Sequence, residues 1–143
     1  MNRIQAQKIV ERIQNIPLYL HAYAFHLNMR MEKILPEGLL DIASEQKLKG
    51  VKVHVLDGES QSLSCADDAR LQKFGEKAHS LGLDVHIETS ASDAETIDTA
   101  VAIALKSGAS SVRFYPRYEG HLAEVLAQVK QDIQYIKAHY QHS

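Results

Sequence analysis

The chain has a single cysteine, Cys65, among its 143 residues. No intramolecular disulfide can form, and the expected setting is the reducing cytoplasm. No apolar run approaches the roughly 20 residues that cross a bilayer. The N-terminal stretch lacks the apolar core of a secretory signal, so neither a leader nor a membrane partner is expected. An excess of one charge is also missing. The formal net charge is −2 with both signs interspersed, which gives no electrostatic reason to expect nucleic acid as partner. There is no Gly-rich phosphate loop, nucleophile elbow, Cys-x-x-Cys pair or His-Glu-x-x-His helix. Linkers and low-complexity tracts are absent as well, so residues 1–143 read as one domain, long enough to bury a core.

What the chain does contain is a repeated unit. Hydrophobic residues make up 45% and histidines number eight. In Gly50-Val51-Lys52-Val53-His54-Val55 the valines alternate with Lys52 and His54. A strand sends alternate side chains to opposite faces, so one face is oily and the other holds a cation and an imidazole. Asp57 and Glu59 follow in a turn at the end where α/β folds keep their sites. Residues 18–25 alternate likewise, with Tyr19, His21, Tyr23 and Phe25 opposite smaller or aliphatic side chains. In 83–89, Leu83, Val85 and Ile87 oppose Asp84, His86 and Glu88. In 111–115, Val112 and Phe114 oppose Arg113 and Tyr115.

Helical spacing fills the intervals. Ile4, Ile9, Val10, Ile13 and Ile16 form an amphipathic helix over residues 2–16, read as a cap on the bottom of a sheet and ended by Pro17. His26, Asn28 and Arg30 fall in a loop. Pro36 starts a helix that Gly50 closes. Ser60 to Ser64 form another loop. A third helix carries Leu71, Phe74 and Ala78 and stops at Gly82. Ser92 and Glu95 read as the capping box of a helix ending at Gly108. A long final helix begins near Leu122, and its polar tail from Ala138 is expected to fray.

Strands near 18–25, 51–56, 83–89 and 111–115, each followed by a helix, recur about every 30 residues, the size of one parallel strand-plus-helix unit. That alternation predicts an α/β chain with a parallel sheet. Central strands of a doubly wound sheet are apolar on both faces; these are polar on one. The pattern suits half of a (β/α)8 TIM barrel, four units instead of eight, with a site at the C-terminal mouth. The expected lumen-facing residues are His21, Tyr23, Lys52, His54, His86, Glu88, Arg113 and Tyr115. A half-barrel leaves two bare strand edges. Either a homodimer through those edges or the lumen face completes it, or the chain is a fragment of a longer protein.

The strand ending Leu56-Asp57-Gly58-Glu59, the run His86-Ile87-Glu88-Thr89-Ser90, and Val112-Arg113-Phe114-Tyr115-Pro116-Arg117-Tyr118-Glu119-Gly120 resemble the xylose-isomerase-like superfamily, within it the sugar-phosphate isomerase/epimerase branch. The resemblance spans roughly residues 17–137 and covers the N-terminal half of such a barrel. It implies metal-assisted proton or hydride transfer beside a carbonyl on a sugar or sugar phosphate once the barrel is complete. The cofactor implied is divalent Mn, Mg, Co or Zn, with ligands on later strands that this sequence does not contain. Glu88, His86 and His54 are the candidate catalytic groups. His21, Tyr23, Lys52, Arg113, Tyr115 and Arg117 are the candidate substrate-binding groups, the arginines suited to a phosphate or carboxylate. No metal ligand is assigned within the chain. Against these roles stand simpler ones: Glu88 paired with Lys52 or Arg113 in a charge network, wall histidines that only donate hydrogen bonds, and a solvated Arg117. A dehydratase-type relative, or a non-catalytic module that self-associates, remain alternative readings.

Overall fold

The computed structural model describes residues 3–55 and 60–141. The elements run α1 (Arg3–Gln14), β1 (Tyr19–His21), α2 (His26–Arg30), α3 (Pro36–Glu45), β2 (Gly50–His54), α4 (Asp68–Ser80), β3 (Asp84–Thr89), α5 (Ala94–Ser107), β4 (Ser111–Phe114) and α6 (Leu122–Tyr140). The protein is an α/β chain with one four-stranded parallel sheet in the order β1-β2-β3-β4.

That order has a physical consequence. Crossovers between parallel strands are right-handed. When each strand is added on the same side of the last, every crossover helix falls on one face of the sheet. The core accordingly joins Val51, Val53, Val55, Val85 and Ile87 from the strands to Leu39, Leu40, Phe74, Ala78, Ala100 and Ile103 from the helices. The opposite face carries the polar residues and no crossover helix.

Register aligns that polar face in rungs. His21 pairs with Lys52, Lys52 with His86, and His86 with Ser111. One rung higher, His54 pairs with Glu88 and Glu88 with Arg113. The two-residue period of the sequence thus becomes a two-dimensional polar surface.

Several local expectations are corrected. The first strand does not reach residue 25. Tyr23 N–H donates to His21 Nδ1 at 3.0 Å and caps a 3-10 turn over Ala22–Phe25, so Tyr23 leaves the strand face and is 60% exposed. The supposed loop at 26–30 is α2. The loop at 60–64 holds a 3-10 turn, Leu63–Cys65, whose Leu63 is fully buried. Gly50 does not close α3. Lys47 takes the left-handed position at φ 55°, and Gly50 is the first residue of β2, where a Cβ would sit 2.1 Å from the Asp84 carbonyl oxygen. The cap of α5 is Asp93, which accepts from Thr96 N–H at 3.0 Å. Ser92 is buried and donates to Asp132 at 2.5 Å. The last helix holds to Tyr140, whose hydroxyl donates to Asp98 at 2.6 Å.

The role expected of α1 also fails. None of its residues is buried, and Ile4, Ile9, Val10 and Ile13 are exposed. Among the described residues, the apolar stripe of α1 is not buried against the sheet. Leu122, Leu126 and Ile133 of α6 are exposed as well.

Candidate functional site

The polar face divides into three tiers. The lower lies where the strands begin and centres on Asp84. Tyr19 donates to its carboxylate at 2.9 Å, His86 Nε2 at 3.0 Å and Ser110 Oγ at 2.5 Å. Partial burial raises the Asp84 pKa, but the three donors, Ser110 foremost, outweigh it and hold the carboxyl below its ordinary range. The rings of Tyr19 and His86 lie 4.7 Å apart, and Lys52 Nζ stands 5.8 Å from the Tyr19 ring centroid. Parity puts Asp84 on this face and gives it no role.

The middle tier is Glu88, fully buried. His21 Nε2 lies 2.5 Å from one of its oxygens and Arg113 Nη1 3.3 Å from the other. The 3.0 Å bond from Tyr23 N–H uses His21 Nδ1 as an acceptor, so the ring hydrogen sits on Nε2, which lies close to Glu88 without hydrogen-bond geometry. Arg113 makes the hydrogen bond to Glu88, and His21 stands against its other oxygen. Arg113 also stacks over Tyr115, Cζ 4.2 Å from the ring centroid.

The expected catalytic trio is consequently not assembled. His86 is turned down to Asp84, while Glu88 is bound to His21 and Arg113. His54 pairs in register with Glu88 but lines the cavity above. Lys52 is not a partner of Glu88, because Tyr19 holds it a rung lower. The described residues contain no group of three or more His, Cys, Asp or Glu side chains placed to hold a metal ion. Asp57 and Glu59 lie outside the described residues.

Above Glu88, at the C-terminal ends of the strands, is a cavity of about 530 Å³. Its described lining is His21, Tyr23, His26, Arg30, His54, Ser90, Tyr115 and Arg117. Five of these eight belong to the residues proposed from sequence: His21, Tyr23, His54, Tyr115 and Arg117. His26, Arg30 and Ser90 were missed. Extending the parity 86, 88, 90 would have found Ser90. Arg30 follows β1 at its C-terminal end, as Arg117 follows β4, and that shared position was the available sign for it. His26 Nδ1 donates to the Tyr23 carbonyl at 3.1 Å, and its ring stacks on Tyr23 with centroids 4.9 Å apart.

No protein-family model matches the chain. It is similar to the uncharacterized protein YihM of Escherichia coli (strain K12), with 64% identity over 138 residues. The match covers 96% of this chain and 42% of YihM, so the chain spans well under half the length of that relative. Among the described residues no helix is long and apolar enough to cross a membrane.

Proposed function

We propose that the chain is the first half of a (β/α)8 barrel of the sugar isomerase/epimerase kind, and that the cavity above Glu88 is its part of a polyol-binding mouth. One observation carries the reading: a parallel sheet wound in one direction, with helices on one face and a graded polar surface on the other. An open doubly wound sheet would reverse its strand order and cover both faces. A barrel needs the uncovered face for its lumen and places its site where the strands end.

The exposed apolar stripes of α1 and α6 support the same reading, since contiguous apolar surface marks a covered face. In this reading Glu88 is a positioning residue. It stands against the His21 imidazole and the Arg113 guanidinium below the mouth, while Ser90 and Tyr115 offer hydrogen bonds to hydroxyls. The chemistry is a proton shift beside a carbonyl. Its metal would be held by the half of the barrel that this chain lacks, and no step is assigned to it.

The test is solvent exchange in full-length YihM, which extends beyond the matched region. Aldoses, ketoses and their phosphates in D2O with Mn²⁺, Mg²⁺, Co²⁺ or Zn²⁺ should gain deuterium at the carbon beside the carbonyl, and chelation should stop it. No exchange with any of them, in a folded and metal-supplied protein, overturns the reading.

A further inference from the structure

We infer that the 143-residue chain closes its sheet with a second copy of itself, β4 and α6 of each copy seating β1 of the other. The inference rests on the half-barrel reading and names an occupant for its two open edges.

The crossover helices show what is missing. α3 lies against both β1 and β2, and α5 against both β3 and β4. A right-handed crossover sets each helix over its own strand and the next. α6 follows β4, and among the described residues no strand follows α6. Its apolar stripe is accordingly covered on one flank only. Val125, Val129 and Ile136 are half-buried, while Leu122, Leu126 and Ile133 are exposed. The helix is nonetheless anchored. Asp132 accepts from Ser92 and Tyr118, and Asp98 of α5 accepts from Tyr135 and Tyr140. The bare flank is thus presented in a fixed orientation.

The strand at the other edge has the reciprocal deficit. Leu20 of β1 pairs in register with Val51, and Val51 with Val85. The two valines are buried, but Leu20 is only half-buried, and Leu18, on the same face, is 63% exposed. α1 precedes β1 but buries none of its residues and supplies no cover.

A helix that lacks a strand and a strand that lacks a helix are complementary, and here both stand at opposite edges of one sheet. Two different patches that fit each other make a heterologous contact, which forms a ring when the rotation closes. Four strands of an eight-stranded barrel turn through half a circle, so closure comes at two copies. The barrel's shear of about 8 divides into about 4 per copy. That offset is even, so parity is kept across the seam and the polar face of β4 continues into that of the partner subunit's β1. Area is sufficient as well. Leu18, Leu122, Leu126 and Ile133 recur in both seams and expose on the order of 100 Å² each. With the half-exposed Leu20, Val112 and Phe114 and the strand edges between them, the pair clears the roughly 1,000 Å² of a specific interface.

The experiment is sedimentation velocity and light scattering of the 143-residue chain from about 0.1 to 100 μM, with circular dichroism to check that each variant is folded. The parent should be a dimer with a dissociation constant below about 10 μM. Leu126→Glu and Leu18→Glu each alter both seams of a pair and should weaken association at least about a hundredfold. An equimolar mixture of the two variants leaves one seam unaltered, so it should associate more tightly than either alone. Leu105→Glu, at an exposed leucine of α5, should dimerise as the parent does. A parent that stays monomeric throughout, or that grows beyond the dimer, overturns the inference. So does a dimer that Leu126→Glu or Leu18→Glu leaves intact, or a mixture no tighter than its components. Any of these failures alongside deuterium exchange in YihM would reject the second copy and keep the isomerase reading. Dimerisation as expected, without exchange in YihM, would uphold the seam and reject that chemistry.

Discussion

Asp84 shows how one side chain organises the lower tier. Its donors come from β1, from β3 and from the residue before β4, so a single carboxylate ties three strands together. Because its native pKa lies below the ordinary value, its contribution to stability is fully present above the unfolded-state pKa. It is lost as pH falls through the native one. Asp84→Asn should lower stability at pH 7 by about 1 kcal/mol, the net worth of a hydrogen bond. The gap to the parent should close as the pH drops below about 4. Melts followed by circular dichroism from pH 7 to pH 2.5 would show it; a gap that stays constant would refute the assignment. Glu88 differs in kind. The sequence showed a glutamate on a polar face. That it is fully buried between an imidazole and a guanidinium depends on register, which no single strand contains.

At the scale of elements, the helix faces and most stops were legible. Phe74, Ala78, Ala100 and Ala104 face the core as their spacing predicts, and Gly82 and Gly108 take left-handed conformations at φ 67° and 66° where their helices end. The errors fell where a local bond competes with periodicity. Alternation persists through Phe25 and predicts a longer first strand, whereas the bond from Tyr23 N–H to His21 turns the chain at Ala22. Serine favours the cap position, which predicts Ser92 there. Its hydroxyl instead serves Asp132 of α6, forty residues away, and Tyr118 donates to the same carboxylate at 2.6 Å.

Gly75 makes an element-scale prediction whose sign is decided by packing. Alanine in a helix interior is intrinsically better than glycine by about 1 kcal/mol. A Cβ at Gly75 would, however, meet the Ser107 carbonyl oxygen at 2.3 Å, where α4 crosses the end of α5. That contact is backbone and cannot swing aside. Gly75→Ala should therefore destabilise the chain by about 1–3 kcal/mol net, read as a lower urea midpoint. A midpoint at or above that of the parent would show that the helices can separate without cost.

For the whole molecule, the informative surface is the one left uncovered. Ile4, Ile9, Val10 and Ile13 on α1 and Leu122, Leu126 and Ile133 on α6 are exposed, and β1 and β4 are the two edges of the sheet. Ile13→Glu should leave the stability of the 143-residue chain within about 0.5 kcal/mol of the parent, because the side chain buries nothing there. The equivalent change in a full-length relative should lower its melting temperature if the missing portion packs on α1. Chemical denaturation of the short chain and thermal melts of the long one read the two effects separately. Equal losses in both would mean that α1 is already packed, and no loss in either would leave the stripe without a covering partner.

The sequence by itself determined the α/β alternation, the parity of every strand and the apolar faces of the helices that form the core. These depend on periods of two and 3.6 residues, which are local properties of a chain. Only the tertiary structure decided that Glu88 is shared by His21 and Arg113, that His86 turns away to Asp84, and that Arg30 and Arg117 face one cavity from opposite edges of the sheet. Those arrangements depend on which rung of one strand meets which rung of the next, and on loops that fold back over the strand ends. Distances between residues far apart in the chain are set by packing.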